Sequence, residues 1–202
     1  MTTLAWPTTR PFGAARFTFG GSASRSAFAG FFTGETQSTS HLADRLRATV
    51  TLTACGPQDA GPREAFFTQL ALRGDWVTLH HLQRPAPIGT LRGSPTMQAG
   101  ASTGALSIQV QGVAGDTLQG GDMLGLAGGQ LVQVGYAGAV ANGSGVLTVP
   151  IVSPLRAAVA GASAVVWDKP TATFQLATPM AEFPYGRGAW QAALEFTFAE
   201  VY

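Results

Sequence analysis

The sequence predicts an all-β protein with one short helix, built as a β-sandwich core that carries an inserted small β-barrel of OB-like type. Three observations predict it. Charged residues make up 11% of the chain, against roughly 25% in ordinary soluble proteins. Twenty-six glycines and twelve prolines break the chain into short segments, the punctuation of strands and turns. The charge is also uneven: from Gly93 to Trp167 only Asp116, Asp122 and Arg156 are charged, in a stretch rich in Gly, Ala, Val and Gln. That change predicts two domains, one from residues 1–93 and 171–202 and one inserted over 94–170. A loop tolerates an insertion whose ends lie close together.

Ala15 to Phe19 alternates, with Ala15, Phe17 and Phe19 on one face and Arg16 and Thr18 on the other, as in a half-buried strand. Gly20 to Thr39 mixes Gly and Ser with Phe28, Phe31 and Phe32, and predicts a loop with one irregular strand. Leu46 to Cys55 is the clearest strand, with a Leu/Ala/Val face and a Thr-rich face. Pro62 to Leu72 predicts the helix. Pro62 suits the first helical position, Glu64 and Arg73 complement the helix dipole, and Gly74 supplies a left-handed cap. Phe66 and Leu70 form its apolar stripe, flanked by Ala65. Trp76 to Leu82 predicts the next strand, and the turn-rich run Arg84 to Gly93 leads out of the first domain.

In the uncharged stretch, Leu106, Ile108 and Val110 alternate with Ser107, Gln109 and Gln111. Met123–Leu126 and Leu131–Tyr136 flank Gly128-Gly129, a hairpin signal because both positions tolerate positive φ. Asn142-Gly143 marks another turn. Leu147, Val149 and Ile151 follow as a strand, and Ala164 to Trp167 as another. Five short strands around one small core suit a barrel. Asp168-Lys169-Pro170 marks the return. Thr173–Leu176 predicts a strand, Phe183–Gly188 a turn, and Trp190–Phe198 a long strand with Trp190, Ala192, Leu194, Phe196 and Phe198 on one face. That terminal strand needs a partner from the N-terminal half.

The residues that carry chemistry form no constellation in the sequence. A net charge of +1 gives no clustered basic surface for nucleic acid. Eleven arginines accompany a single lysine, Lys169, which fits a base-composition bias of the source genome. Cys55 is the only cysteine, so it forms no intrachain disulfide and no cysteine cluster for zinc. Neighbouring His80 and His81 point to opposite faces of a strand, and His41 lies far from both. Metal sites need three or four convergent ligands, so no metal site is expected. Asp75, Asp116 and Asp122 sit beside glycines, where Asp serves turn hydrogen bonding.

Gly143-Ser144-Gly145 lacks the pattern of a nucleophile elbow. Gly20-Gly21 and Gly120-Gly121 precede no helix, so they predict no phosphate cradle. Asn142-Gly143-Ser144 matches a glycosylation sequon, but Met1 to Pro7 lacks the basic and apolar regions of a secretory signal; it reads as a turn. Met123 to Ala141 is uncharged and long enough to span a bilayer. Its five glycines, two glutamines and internal turn signal argue against a span. Trp6, Tyr136, Trp167 and Tyr185 are candidate sugar platforms, although Trp167 is in phase with Val165 and so reads as core.

The order of parts resembles a known family. A β-sandwich with one helix is followed by a Trp-bearing strand, an exit at Pro87-Ile88-Gly89-Thr90-Leu91-Arg92-Gly93, a Gly/Val/Gln-rich insertion and an apolar C-terminal strand. This is similar to a siphophage distal tail protein. The runs Gly121-Asp122-Met123-Leu124, Gln130 to Val134, Ser153-Pro154-Leu155-Arg156 and Val165 to Pro170 are similar to the small domain of baseplate and minor tail proteins. The resemblance implies a homohexameric ring at the virion's tail tip, assembled in the bacterial host cytoplasm. The ring joins the tail tube to the central hub, and the insertion projects outward toward fibres or the host surface. It implies no enzyme activity, cofactor, catalytic residue or metal ligand. A carbohydrate- or receptor-binding module is the alternative, and a small β-fold enzyme a distant third.

Overall fold

The computed structural model describes residues 1–8, 12–22, 25–29, 36–40, 45–178, 182–187 and 190–201, with backbone alone for 22, 25–29 and 36–40. The chain is all-β with one helix. In chain order the elements are β1 (Thr3–Ala5), β2 (Ala14–Ser22), β3 (Arg25–Ala29), β4 (Thr36–Ser40), β5 (Arg45–Leu52), α1 (Pro57–Arg73) and β6 (Trp76–Leu79). There follow β7 (Thr96–Met97), β8 (Ser107–Gln111), β9 (Thr117–Leu118), β10 (Met123–Leu126), β11 (Gln130–Gln133), β12 (Ala139–Val140) and β13 (Val146–Pro150). β14 (Ala172–Leu176) and β15 (Leu194–Glu200) complete the chain.

The chain divides into two compact units. One comprises Met1–Thr2, Pro7–Trp76 and Phe174–Tyr202; the other comprises Thr3–Trp6 and Val77–Thr173. The divisions follow Trp76 and Thr173, whereas the charge pattern places them after residues 93 and 170. Packing explains the difference. Leu91 is fully buried in the second unit's core, so the charged run before Gly93 belongs with the uncharged one after it.

In the first unit β5 lies between β15 and β2, antiparallel to both. Val50 is opposite Phe196 on one side and Phe17 on the other. Strand alternation therefore puts Ala48, Val50, Leu52, Phe196 and Phe198 on one face, and each is fully buried. The other face carries Thr49, Thr51, Glu195 and Thr197; Thr49 meets Thr197 at 3.4 Å between hydroxyls. β14 pairs with β15 from Phe174 to Leu176.

Helix α1 lies on the apolar face, with the Phe67 ring stacked on Phe196 at 3.6 Å and 7° between planes. The helix is longer than the sequence predicts. It begins at Pro57, with Pro62 inside it and Asp59, not Glu64, in its first turn. Pro57 has the N1 role expected of Pro62. The predicted cap holds: Gly74 is left-handed at φ 63°. The buried residues are Ala60, Arg63, Phe67 and Leu70. Leu70 is buried as expected, and Phe67 takes the place expected of Phe66. Phe66 is half-buried and meets Phe12 edge-on at 5.2 Å.

The described residues of Gly20–Thr39 hold more strand than predicted. β2 runs through Gly20 and Gly21, which pair with Arg47 and Leu46, and β3 and β4 form an antiparallel hairpin with Phe28 opposite Gln37. Hydrogen bonds between backbones made these strands without the apolar alternation that a sequence reveals. His41, Phe31, Phe32 and Gly188 lie outside the described residues. The predicted long C-terminal strand is shorter: it starts at Leu194, and Trp190 is 58% exposed. Gln191 instead bridges to Cys55 and Tyr185.

The second unit has one apolar core, formed by residues that include Leu91, Ile108, Val110, Leu124, Leu147 and Val149. Around it lie the three-stranded sheet β13-β8-β7 and the pairs β10-β11 and β12-β9. Single bridges, such as Val134 with Ile151 and Gly125 with Val166, link further segments. These strands form no closed barrel, which corrects the OB-like expectation. They are too short, at two to five residues, for a continuous ladder. Gly128 and Gly129 both carry positive φ, 82° and 75°, as the hairpin between β10 and β11 requires. No helix among the described residues is long and apolar enough to cross a membrane.

The stacked ring gives a test of the helix face. Phe67→Ala should lower unfolding stability by about 3–5 kcal/mol, as for other buried aromatic deletions, and Phe66→Ala by clearly less. Urea midpoints of the two variants measure the difference; equal losses would show that both rings are packed alike.

Candidate functional site

The polar side chains that the sequence marks as possible chemistry are mostly used to hold backbone. Asp122 is the fullest case. It is 3% exposed. One carboxylate oxygen accepts the Ile88 N–H at 2.8 Å, and the other accepts those of Gly89 at 3.2 Å and Gln119 at 2.8 Å. A carboxylate with three backbone donors is a strong local anchor. Asp116 accepts the Val113 N–H at 2.8 Å, closing its turn. Asp75 accepts from the Thr2 N–H at 2.8 Å and from Gln69 Nε2 at 3.1 Å, with Arg73 at 3.5 Å. Those donors, Thr2 first, then Gln69 and Arg73, hold its carboxyl below the usual range. The three aspartates are far apart in role, and no two share a site.

The strongest concentration of polar contacts is at Pro85–Gly93 and Trp167–Lys169, within the second unit. Gly89 passes so close to Thr117 that a Cβ there would sit 2.1 Å from its carbonyl oxygen. Thr90 and Thr117 reach across reciprocally: each backbone N–H donates to the other's hydroxyl, at 3.1 and 2.9 Å. Arg92 donates to the carbonyls of Gly89, Leu91 and Pro87 at 2.9, 2.6 and 3.2 Å. Its guanidinium carbon lies 4.9 Å from the centre of the Trp167 ring, a cation–π contact. The Trp167 indole N–H donates to the Gly93 carbonyl at 2.9 Å, and Lys169 N–H to that of Pro85 at 2.6 Å. Lys169 holds a left-handed φ of 47°, uncommon for a residue with a Cβ.

His81 and His80 do not converge. His81 is 8% exposed, and its Nδ1 accepts the Arg84 N–H at 3.0 Å. That bond fixes the Nδ1 lone pair, so the neutral ring carries its proton on Nε2. Burial, then the Arg84 charge, pushes its pKa down. Burial, then Lys169, lowers that of His80 against the pull of Asp168. No group of three or more His, Cys, Asp or Glu able to hold a metal is found among the described residues.

In the first unit, a cleft of about 670 Å³ lies beside the start of α1, lined in part by Cys55, Gly56, Asp59, Arg63 and Trp190. Arg63 is fully buried, and its Nη1 donates to the Thr53 carbonyl at 2.7 Å and to Gln191 Oε1 at 3.4 Å. Cys55 Sγ is 3.7 Å from the same Gln191 oxygen. Gln191 Nε2 is buried, and no partner within hydrogen-bond geometry is found for it among the described residues. Arg63 and Gln191 escape sequence reasoning, because they lie far apart in the chain and an arginine on a helix ordinarily faces water. Gln130 escaped it too. It bonds the N–H groups of Arg156 and Ala157 and the carbonyl of Ala157, all at 3.1–3.2 Å.

Of the candidate sugar platforms, Trp6 is buried, Tyr136 is fully exposed and Tyr185 is 49% exposed. Tyr185 donates its hydroxyl to Glu64 at 2.7 Å, which raises its pKa. Trp167 is half-buried against the second unit's core. Asn142 of the sequon accepts the N–H groups of Ser144 and Val146 at 2.9 and 3.0 Å, so its amide oxygen is part of the turn. No protein-family model matches the chain, and no curated protein matches it.

Two tests follow from this geometry. Asp122→Ala should cost about 3 kcal/mol or more, because it strips three backbone N–H groups of their acceptor at about 1–3 kcal/mol each. Asp122→Asn, which keeps one acceptor oxygen, should cost less. Denaturant titration ranks the two, and an unchanged midpoint in Asp122→Ala would show the anchor to be dispensable.

The second test concerns pH. The lowered histidine pKa values favour neutral rings in the folded chain, while the unfolded chain takes up protons near about pH 6.5. Stability is therefore fully present above about pH 6.5 and falls as pH drops below it. His81→Gln should flatten that fall between about pH 7 and 5. An identical slope in the variant would exclude His81 as its source.

Proposed function

We propose that this chain is a structural subunit of a siphophage tail tip, of the distal tail protein kind. Six copies close a ring that joins the tail tube to the central hub. It acts without catalysis, cofactor or metal, and it assembles in the bacterial host cytoplasm before entering the virion. The observation that carries the reading is the order of the parts. Arg47–Leu52 pairs with Leu194–Ala199 in one sheet, and between these segments in the sequence lies a unit with its own core. That is the arrangement the family resemblance implies. The consumption of Asp75, Asp116 and Asp122 as backbone acceptors also suits a scaffold. A chain with so few charged residues has few gatekeepers at its strand edges, which favours pairing with copies of itself.

The number six comes from the resemblance, and the test is a count. Quantitative mass spectrometry of tails that contain the chain should give six copies per tail, or a multiple, with cross-links from the first unit to the tube and hub proteins. Any other stoichiometry, or the absence of the chain from tails, would refute the reading.

A further inference from the structure

We propose that the groove between Gly93–Thr96 and Ala164–Asp168 is a binding site for a neutral saccharide, with Trp167 as its apolar platform. The groove encloses about 390 Å³, within the ~300–1,000 Å³ of small-molecule sites. Its walls are fixed. Thr96 bridges to Ala164, and Val165 N–H donates to the Pro95 carbonyl at 2.9 Å. Trp167 is fixed as well, by its bond to Gly93 and by the Arg92 guanidinium over its ring. Trp167 lines the groove, and Arg92 does not. A platform held in this way loses little entropy when a ligand docks on it.

The lining chemistry selects the ligand. Trp167 and the 47%-exposed Val166 present apolar surface, which suits the C–H face of a pyranose. Around them stand the Ser94 and Thr96 hydroxyls and the Asp168 carboxylate, none of which has a hydrogen-bond partner among the described residues. A carboxylate is an acceptor alone and hydroxyls both donate and accept, so together they match a row of sugar hydroxyls. Asp168 is the groove's one ionisable side chain. Its charge disfavours phosphorylated or acidic sugars, which leaves neutral hexoses and N-acetylhexosamines. This inference is independent of the ring.

The test is a ¹⁵N NMR titration of the full chain with glucose, galactose, N-acetylglucosamine and rhamnose. At least one sugar should shift the amides of Ser94, Thr96 and Val165–Asp168 and the Trp167 indole N–H. Asp168→Ala should weaken that sugar about tenfold or more, the loss expected for one charge-assisted hydrogen bond. Asp168 is exposed and makes no side-chain hydrogen bond among the described residues, so the variant keeps the fold, which its unperturbed spectrum away from the groove and from His80 verifies. The proposal fails if none of the four sugars shifts these signals, or if the shifts fall elsewhere. It also fails if Asp168→Ala binds as tightly as the parent, or if ethanolamine shifts the groove while the sugars do not, since the site would then be one for cations.

Discussion

The second unit depends on one close approach: the backbone at Ile88–Gly89 runs against the turn at Thr117–Asp122, with no room for a side chain at Gly89. Such contact brings backbone N–H groups out of water, and each must find an acceptor or cost free energy. Asp122 supplies the acceptor for Ile88 and Gly89 and for the N–H of Gln119 in its own turn. Thr90 and Thr117 satisfy one another beside it. The rest follows from that docking. Leu91 enters the core, Arg92 is set over Trp167, and the chain can leave again beside its own point of arrival through the Lys169–Pro85 bond.

The first unit solves a different problem. Its sheet has one strongly apolar face and one lined with threonines, and α1 covers part of the former through Phe67. The helix also carries Arg63 into the interior, where a charge is costly unless its donors are bonded. The Thr53 carbonyl and Gln191 bond it, and the same glutamine contacts Cys55. The Cys55 thiol beside the Gln191 amide oxygen is a structural contact. Polar groups in both units are thus spent on holding chain segments that strands alone do not secure. This is consistent with the scaffold role proposed above, and it sets apart the hydroxyls and carboxylate around Trp167.

Much of the fold was legible in the sequence, for a physical reason in each case. Alternation in Leu46–Leu52 and Leu194–Phe198 required half-buried strands. Gly128-Gly129 required positive φ, and Gly74 after a helical run required a left-handed cap. Charge depletion marked a separate composition between Gly93 and Trp167. The aspartates beside glycines read as turn formers, and they are backbone acceptors. These features are local: the residues that decide them are neighbours in the chain.

What only the tertiary structure decided is long-range. Helix α1 starts at Pro57, since its buried face is set by where Phe196 lies, and Phe67 rather than Phe66 meets it. The hairpin of β3 and β4 comes from backbone pairing that side chains do not announce. The second unit gathers Val77–Gly93, and its strands from β7 to β13 lie in small sheets, since a core is defined by which apolar side chains pack together and not by where charge thins out. The groove at Trp167 belongs to the same class. Its walls are about seventy residues apart in the chain, and the sequence by itself determined the residues on each wall but not that they would face one another.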